Sequence, residues 1–234
     1  DLLAAAEREA IDMHSSDMMH SSTVKSIRGG NHTATTRYTD PGSRGDVIRW
    51  LDGTDGRAPA CAALTQWLRG QLMSAVREAC EAAPPHSYTG SGRAPRLLLD
   101  HSNVLPISML ACYPGGGTRF KRHVDNSPEA PDLRAVTAVL YLNGHWREED
   151  GGTLRIYNTE GDHPQQQSTT TSSSSSSSQH IDVQPKRGTL VLFWSHRIPH
   201  EVLPSSTRRF ALSLWMCVDP SRQEKGWLEG RFGL

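Results

Sequence analysis

The apolar positions in the first part of the chain follow a helical spacing. Residues from Leu2 to about Met13 are rich in Ala and Glu and predict a first helix. A second, amphipathic helix is predicted from Cys61 to Cys80, and Pro84–Pro85 would end it. Its apolar stripe, with Trp67 beside it, consists of Leu64, Leu68, Leu72, Val76 and Ala79.

The chain between the two helices is mostly polar. The segment "HSSDMMHSS" is interpreted as a loop, whereas "STVKSI" and "DVIRWL" have the apolar content of short strands. Residues 28–45, between those strands, are rich in Gly and Thr and predict a long polar loop.

After Arg96 the pattern changes to short runs of Val, Leu, Ile and aromatic residues, separated by Gly, Pro and Asn. Eight such strands with turn signals are typical of a sandwich or barrel. We therefore predict a mainly β fold, a double-stranded β-helix (jelly roll) with the N-terminal helices packed on one sheet. The predicted strands lie near 106–113, 118–124, 134–142, 153–157, 180–183, 188–194, 200–203 and 209–218.

One segment is unsuited to any core. Residues 165–179, "QQQSTTTSSSSSSSQ", are polar and of low complexity, so they cannot bury enough apolar surface to offset their ordering entropy. We predict a disordered insertion between two strands. The 234 residues fit one domain, with helical and β support in 1–96 and the jelly-roll core in 97–219.

Composition narrows the classes of function. Lys plus Arg and Asp plus Glu each number 25, so the net charge of zero predicts no nucleic-acid partner and no membrane surface. The four cysteines are scattered among apolar residues, which favours free thiols and a cytoplasmic, reducing location. The first residues lack the layout of a signal peptide, and the absence of an initiator Met suggests a piece of a longer protein.

The segment "RHVDN" contains a candidate metal site. His123 and Asp125 are two residues apart, so on a strand both side chains would lie on one face. His200 opens a later strand and is a candidate third ligand. His196 and His200 have the spacing of a helical metal pair, but Pro199 favours a strand–turn–strand arrangement, so we reject that pair. Two His and one carboxylate form the facial triad of non-haem Fe(II) oxygenases.

The last predicted strand begins with a charged residue on an otherwise small or aromatic face. Arg209 shares this face with Ala211, Ser213 and Trp215. A buried cation needs a partner because burying it alone is costly. Two interpretations remain open: Arg209 pairs with a core carboxylate at the rim, or it binds an anionic ligand through its forked guanidinium.

Several segments together resemble the 2-oxoglutarate-dependent prolyl 4-hydroxylases, and more narrowly their cytoplasmic oxygen-sensing branch. That branch includes the hydroxylases of hypoxia-inducible factor and the protist hydroxylases of the Skp-type adaptor of SCF ubiquitin ligases. The resemblance covers most of the chain from Arg44 to Asp219. It is carried by "RGDVIRWLDG", "ISMLACYPGGGTRFKRHVDN", "AVTAVLYLN", "DGGTLRIY", "LVLFW" and "PHEVLPSSTRRFALSLW".

The resemblance implies a role for particular residues. The iron ligands would be His123, Asp125 and His200, and Arg209 with Tyr141 would bind the far carboxylate of 2-oxoglutarate. Tyr113 matches a tyrosine near the iron end of that cosubstrate. Near the substrate channel, the matching positions are Arg134 and Trp215.

The same resemblance implies the reaction. The enzyme would hydroxylate C4 of a proline in a cytoplasmic protein, using Fe(II), 2-oxoglutarate and dioxygen, with ascorbate as a supporting reductant. Because the mechanism needs a carboxylate ligand, we expect Asp125→Gly to stop hydroxylation. We expect a monomer that acts as an oxygen sensor, with the Skp-type adaptor slightly favoured as substrate over a hypoxia-inducible transcription factor.

Other functions fit parts of the pattern. A nucleic-acid dealkylase of the same superfamily would need a basic, aromatic-lined face, which the neutral charge disfavours. A collagen-type hydroxylase resembles the chain less, because that group has a lysine where Arg209 stands. A non-catalytic, metal-binding jelly roll that recruits a partner is a candidate of another class, and consumption of 2-oxoglutarate would separate it from an enzyme.

Overall fold

The computed structural model describes residues 1–13, 19–20, 25–26, 35–36, 43–51, 56, 58–72, 74–76, 78, 97–98, 108–127, 134–158 and 180–218. The predicted insertion at 165–179, Cys80 and Pro84–Pro85 lie outside these residues. No helix within them is both long enough and apolar enough to cross a membrane. The division into support and core segments stays a prediction.

Both predicted helices are present. The first, α1, spans Leu2–Asp12, and the second, α2, spans Pro59–Trp67. The prediction of one regular helix to Cys80 is wrong, because the chain turns π-helical over Leu68–Leu72. Gly70 lies in that stretch and has low helix propensity. Trp67 is 55% exposed, so it lies outside the buried face of α2.

A side chain of α1 holds the start of α2. Pro59 suits a first helical position, but Ala58 before it offers no side-chain cap. The Glu9 carboxylate takes that role, because its two oxygens accept hydrogen bonds from the backbone N–H groups of Ala60 at 2.7 Å and Cys61 at 2.8 Å. The two helices are therefore joined where α2 has unpaired N–H donors.

Thirteen strands make up the rest of the described fold. All eight strands predicted after residue 96 are confirmed, with bounds that differ by a few residues at most. The strands are β1 (Met19–His20), β2 (Lys25–Ser26), β3 (Thr35–Thr36), β4 (Val47–Leu51), β5 (Leu97–Leu98), β6 (Ser108–Tyr113), β7 (Thr118–His123), β8 (Arg134–Tyr141), β9 (Leu154–Tyr157), β10 (His180–Val183), β11 (Leu190–Trp194), β12 (His200–Ser205) and β13 (Arg209–Val218).

Three two-residue strands depart from the sequence prediction. The segment "HSSDMMHSS" contains β1, which pairs with Val47 and Ile48 of β4, so the loop interpretation is wrong there. Within the polar segment 28–45, β3 pairs with β2. The third, β5, pairs with the end of β13. Two residues are too few to show an alternation of apolar and polar positions, so only the neighbouring strand defines these pairings.

The strands form two main sheets. The major sheet has the order β1-β4-β6-β13-β8-β11, with β5 also paired to β13, and the minor sheet has the order β10-β9-β12-β7. Antiparallel pairing throughout both sheets agrees with the predicted jelly roll. A 3-10 turn at Glu148–Asp150 precedes β9.

Two apolar layers flank the major sheet. On its outer face, Leu110, Leu140 and Leu212 pack against buried residues of both helices. On its inner face, Ala211 and Met109 pack against Leu154 and Val202 of the minor sheet. The helices therefore cover the outside of one sheet, as predicted, and the space between the sheets contains the inward-facing functional groups.

The cysteines confirm one further expectation. Cys61, Cys112 and Cys217 are buried free thiols. Cys61 and Cys112 lie within the outer apolar layer, as free thiols commonly do.

Candidate active site

The three candidate metal ligands meet at one edge of the minor sheet. His123 ends β7, Asp125 follows it in a turn, and His200 begins β12 directly opposite His123 in the strand register. Their ligand atoms all lie within 4.8 Å of one another. The structure brings together the three residues predicted from two distant segments, and His196 is not part of the cluster. Their role as metal ligands stays a prediction.

Backbone carbonyls orient both imidazoles. Nδ1 of His123 lies 2.8 Å from the Lys121 carbonyl oxygen, and Nδ1 of His200 lies 3.0 Å from that of Ile198. Each Nδ1 therefore carries the proton and donates it, so each Nε2 retains a lone pair. The Nε2 atoms of His123 and His200 lie 3.5 and 3.8 Å from Oδ1 of Asp125, so all three ligand atoms converge.

The other oxygen of Asp125 is fully engaged. Its Oδ2 accepts hydrogen bonds from the Thr137 hydroxyl at 2.6 Å and from Nε1 of Trp215 at 3.2 Å. Burial by itself raises the pKa of Asp125, but the neighbouring His123, His200 and Arg134 side chains outweigh burial and lower this pKa well below its usual value. Asp125 is therefore ionised and presents only Oδ1 to a metal.

His200 is held in its neutral form by burial. The residue is 6% exposed, and desolvation lowers its pKa, although the charge of Asp125 acts in the opposite direction. The Phe193 ring lies 4.6 Å from the imidazole, centroid to centroid. A neutral imidazole is the form that binds metals.

A stack of side chains holds the ring of His123. Phe120 stacks on this imidazole with ring centroids 3.6 Å apart, and the Arg44 guanidinium lies 4.6 Å from the Phe120 centroid on that ring. Arg44 in turn pairs with the buried Asp46 carboxylate at 2.6 Å. The orientation of His123 thus depends on Arg44 and Asp46, which lie just before β4 and are distant from His123 in the sequence.

Arg134 and Asn126 support the turn that carries Asp125. The Arg134 guanidinium donates to the Asp125 backbone carbonyl and lies over the Trp215 ring at 5.4 Å. The Asn126 side chain donates to the Arg134 carbonyl oxygen at 2.7 Å. The predicted substrate-channel residues Arg134 and Trp215 therefore contact the metal-binding turn, and their contact with a substrate stays a prediction.

Arg209 lies between two tyrosines at the start of β13. It is 2% exposed, and its guanidinium carbon is 4.9 Å from the ring centroids of both Tyr113 and Tyr141. Its Nε donates to the Gly152 carbonyl oxygen at 2.6 Å. No carboxylate among the described residues pairs with Arg209, which removes the interpretation of a rim ion pair for this part of the chain.

The Tyr141 hydroxyl is buried without a hydrogen-bond partner among the described residues. Such a group costs free energy unless a ligand or water satisfies it. Burial raises the pKa of Tyr141 and of Tyr113, so both phenols are neutral and can donate. A buried guanidinium that no described carboxylate neutralises, beside a hydroxyl that no described residue satisfies, fits the carboxylate of an anionic ligand.

Gly152 leaves the space that Arg209 occupies. Its φ is +69°, and a Cβ there would lie 2.7 Å from Cδ of Arg209 and 2.9 Å from the Ser205 hydroxyl. Another side chain would clash with both groups and strain the backbone. The structure thus explains why a glycine stands at position 152 in "DGGT", which sequence reasoning did not identify.

The sequence predictions and the structure agree on the residues that are brought together. His123, Asp125 and His200 form one cluster, and Arg209, Tyr113 and Tyr141 form a second one between the sheets. Trp215 and Arg209 lie on the same face of β13, separated by the small residues Ala211 and Ser213. Sequence reasoning missed Thr137, Ser195, Phe120 and Gly152.

The donor set fits iron. Two imidazole nitrogens and one monodentate carboxylate oxygen are the protein ligands of non-haem Fe(II) oxygenases, and such a site keeps positions free for a bidentate cosubstrate and dioxygen. The second cluster fits the distal carboxylate of a dicarboxylic acid. Both clusters agree with an iron site that uses 2-oxoglutarate.

Two curated relatives resemble most of this chain. Hypoxia-inducible factor prolyl hydroxylase of Caenorhabditis elegans is 35% identical over 190 residues, which are 80% of this chain and 21% of that protein. Egl nine homolog 1 of Homo sapiens is 35% identical over 197 residues, which are 82% of this chain and 37% of that protein. The chain thus spans well under half the length of either relative.

Two solved structures share the fold. A prolyl hydroxylase from Trichoplax adhaerens, in complex with a hypoxia inducible factor oxygen degradation domain peptide fragment, superposes with a TM-score of 0.64 at 23% identity. The match covers 94% of this chain and 80% of that one. A Pseudomonas putida prolyl-4-hydroxylase superposes with a TM-score of 0.62 at 26% identity, covering 94% of this chain and 87% of that one.

The family model of the 2OG-Fe(II) oxygenase superfamily matches residues 108–217. That range contains all three candidate metal ligands, Arg209 and both tyrosines. Fe(II), 2-oxoglutarate and dioxygen are the cofactors that such a domain implies. The match and the two clusters point to the same chemistry, and residues 108–217 form a domain of the 2OG-Fe(II) oxygenase superfamily.

Proposed function

We propose that this chain is a prolyl 4-hydroxylase that acts on a protein and depends on Fe(II), 2-oxoglutarate and dioxygen. The observation that carries the proposal is the convergence of His123 Nε2, His200 Nε2 and Asp125 Oδ1 within 4.8 Å. The Caenorhabditis elegans relative and the Pseudomonas putida structure, both named as prolyl hydroxylases, support the choice of proline among the substrates of the superfamily.

The protein would hold the iron through His123, Asp125 and His200. When bound, the iron supplies the oxidative chemistry that couples decarboxylation of 2-oxoglutarate to hydroxylation of a C–H bond. The residues themselves orient the ligands. Because both Nδ1 atoms donate to carbonyl groups, the imidazoles cannot rotate freely, and Thr137 keeps the second oxygen of Asp125 away from the metal.

Arg209 and Tyr141 would bind the distal carboxylate of 2-oxoglutarate. The guanidinium and the unpartnered hydroxyl provide donors in a dry region, where charge-assisted hydrogen bonds are strong. Gly152 holds Nε of Arg209, so the guanidinium enters the site in one orientation. Tyr113, on the other side of that guanidinium, would lie beside the cosubstrate.

Two protein substrates are candidates. The sequence resemblance slightly favours the Skp-type adaptor of SCF ubiquitin ligases, and we propose it as the first substrate to test. A proline of a hypoxia-inducible-factor-like transcription factor is the alternative, supported by the name of the Caenorhabditis elegans relative. With either substrate we propose that the enzyme acts as an oxygen sensor, because its rate of hydroxylation would depend on the dioxygen that the reaction consumes.

The surroundings of the reaction are also part of the proposal. We place the enzyme in the cytoplasm as a monomer, with ascorbate as the reductant that keeps the iron in its ferrous state. The three described cysteines are free thiols, as expected in a reducing compartment. The net charge of zero supports a protein substrate over a nucleic acid.

Mass spectrometry tests the reaction and the substrate together. The protein is incubated with Fe(II), 2-oxoglutarate, ascorbate and air, and with either the Skp-type adaptor or a peptide from a hypoxia-inducible factor. A gain of one oxygen on a proline of the adaptor alone establishes the favoured substrate, and a gain on the peptide alone establishes the alternative.

If neither substrate is hydroxylated, the formation of succinate decides which part of the proposal fails. Succinate formation without hydroxylation of either substrate would support the iron chemistry and reject both substrates. Absence of succinate from protein loaded with iron would reject the enzyme and leave the inert metal-binding module. The matched negative control is the same incubation without 2-oxoglutarate.

A further inference from the structure

Thr137 and Ser195 form a hydroxyl relay that ends on Asp125. The Thr137 hydroxyl lies 2.6 Å from Oδ2 of Asp125 and 2.8 Å from the Ser195 hydroxyl. Both residues are almost completely buried, Thr137 at 2% exposure and Ser195 at 0%. The relay joins the middle of β8 and the turn after β11 to the metal-binding turn.

The direction of the relay follows from counting protons. An ionised carboxylate only accepts hydrogen bonds, so Thr137 must donate its single proton to Oδ2 of Asp125. The Thr137 oxygen is then an acceptor for Ser195, whose hydroxyl must donate. Without Ser195, the Thr137 hydroxyl would lose the neighbour that keeps its proton pointing at the carboxylate.

Ser195 also connects the two segments that supply ligands. Its carbonyl oxygen accepts from the backbone N–H of Asn126, the residue after Asp125, at 2.9 Å. Its own N–H donates to the Ala135 carbonyl oxygen at 2.8 Å. The turn that Ser195 begins leads to His200, so one residue lies at the junction between the carboxylate ligand and the second imidazole.

We infer that Ser195 is a positioning residue for the metal site, acting through Thr137 to keep Asp125 monodentate. With Oδ2 held by Thr137 and Trp215, only Oδ1 faces the two Nε2 atoms. A carboxylate released from Thr137 can rotate and offer both oxygens. It would then bind metal in a less defined geometry and occupy a position needed by the cosubstrate.

Metal affinity tests this inference without any turnover. The inference rests on the proposed function only in that both need the metal site. Mn(II) is therefore used as the probe, and it is titrated into the full chain under anaerobic conditions. Free aqueous Mn(II) is measured by electron paramagnetic resonance. Loss of the hydroxyl in Ser195→Ala or Thr137→Val should weaken Mn(II) binding by about tenfold or more, the usual effect of removing a partner of a metal ligand.

The double variant distinguishes a relay from two separate effects. If Ser195 acts through Thr137, the variant Thr137→Val/Ser195→Ala binds Mn(II) no more weakly than Thr137→Val alone, because the effects share one path. Thr137→Ser retains the hydroxyl and should restore most of the affinity. Losses that multiply in the double variant would overturn the relay.

Ser108→Ala is a matched control. Ser108 is fully buried and its hydroxyl lies 2.9 Å from that of Thr65, so this variant also breaks a buried Ser–Thr pair, but on the helix-covered side of the fold. It should lower the midpoint of thermal unfolding and leave Mn(II) affinity unchanged. Equal losses of affinity in Ser108→Ala and Ser195→Ala would show a general structural effect and reject the inference.

A second variant covers the case in which Ser195→Ala does not fold. Ser195→Cys retains a weak donor of similar shape, so the inference expects an intermediate Mn(II) affinity, and wild-type affinity would contradict it. A wild-type protein that binds Mn(II) as expected but forms no succinate when loaded with iron would leave the relay intact and reject the proposed function alone.

Discussion

At the scale of single residues, each candidate metal ligand has two polar atoms, and one of them already makes a hydrogen bond within the protein. The imidazoles of His123 and His200 each donate Nδ1–H to a carbonyl group, and Asp125 accepts at Oδ2. The remaining atoms, Nε2 of each imidazole and Oδ1 of Asp125, converge and can bind a metal. Arg209 follows the same logic, because Gly152 takes Nε and leaves the rest of the guanidinium for a ligand.

Replacement of the carboxylate ligand should abolish the reaction. Asp125→Gly removes Oδ1, frees a metal position, and leaves the Thr137 and Trp215 donors without their acceptor. We expect neither succinate nor hydroxyproline above background, measured by mass spectrometry. Asp182→Gly is the matched control, because Asp182 is exposed and pairs with Arg155. Wild-type succinate formation by Asp125→Gly would contradict the ligand assignment.

The space beside Arg209 should control the affinity for 2-oxoglutarate. Gly152→Ala places a methyl group 2.7 Å from Cδ of Arg209 and displaces the guanidinium. Loss of a charge-assisted hydrogen bond costs about 1.5–3 kcal/mol, so KM for 2-oxoglutarate should rise by about tenfold or more.

Gly116→Ala separates displacement of Arg209 from backbone strain. Gly116 has a φ of +65°, close to the +69° of Gly152, but nothing lies within 4 Å of its Cβ position. We expect this control to lose some stability and to keep the wild-type KM. An equal rise of KM in both variants would attribute the effect to strain.

At the scale of elements, the chain joins its helices and strands through a few side-chain contacts. Glu9 caps α2, and Glu7 of α1 pairs with Arg187 before β11 at 2.8 Å. Asn143, after β8, exchanges hydrogen bonds with both backbone groups of Phe210 in β13. These contacts bring segments together that are distant in the sequence and hold the sheet that carries Arg209.

Removal of the shared helix cap should destabilise the protein without changing its metal affinity. Glu9→Ala leaves the N–H groups of Ala60 and Cys61 without an acceptor. Loss of a helix cap costs about 1 kcal/mol, so the free energy of unfolding should fall by about that amount in urea denaturation. Glu9→Gln retains one acceptor oxygen and should lose less.

The matched control for the cap is an exposed acidic residue. Glu148→Ala, in the 3-10 turn, should change the free energy of unfolding by less than about 0.5 kcal/mol. Equal losses of unfolding free energy in Glu148→Ala and Glu9→Ala would show that Glu9 affects stability only through its charge and not as a helix cap.

At the scale of the whole molecule, the two faces of the major sheet have different roles: the outer face contributes to stability and the inner face carries the candidate site. Its outer face packs against helices, and its inner face looks toward the minor sheet and the site. Along β13 the two roles alternate residue by residue, with Phe210, Leu212 and Leu214 outward and Ala211 inward. One strand therefore belongs to both layers.

A cavity on the outer side should test this separation. Leu212 is fully buried in the helix-covered layer, and Leu212→Ala should lower the free energy of unfolding by about 2–5 kcal/mol. The Mn(II) affinity of the folded fraction should stay at the wild-type value. Leu2→Ala, at a position 40% exposed, is the control and should change little. A large loss of Mn(II) affinity in Leu212→Ala would mean that the layers are coupled.

Sequence reasoning succeeded where the signal is local. Most of the strands from β6 to β13 are rich in Val, Leu, Ile or aromatic residues over four residues or more and are bounded by Gly, Pro or Asn, so their existence could be predicted. It failed for β1, β3 and β5, which have two residues each and exist only through their partners. It also failed at Leu68–Leu72, where a π-helical turn replaces the regular helix.

The sequence by itself determined the alternation of faces and the residue types at the site. Side chains two residues apart on a strand share a face, so the inward row from Arg209 to Trp215 follows from spacing alone. The same rule indicated His123 with Asp125, but β7 ends at His123, and Asp125 is oriented in the following turn by its contacts with Arg134, Thr137 and Trp215. Resemblance to a known family then supplied roles for these residues, and the His–Asp–His geometry agrees with them.

Only the tertiary structure decided how those residues are oriented and held. The contacts of Asp125 with Thr137, of Thr137 with Ser195, and of Phe120 with His123 join side chains whose spacing in the chain carries no signal. The same holds for the Arg209–Gly152 contact, whose partners are 57 positions apart in the sequence. Such contacts depend on strand register and on the distance between the two sheets, which are properties of the packed molecule and of no single segment.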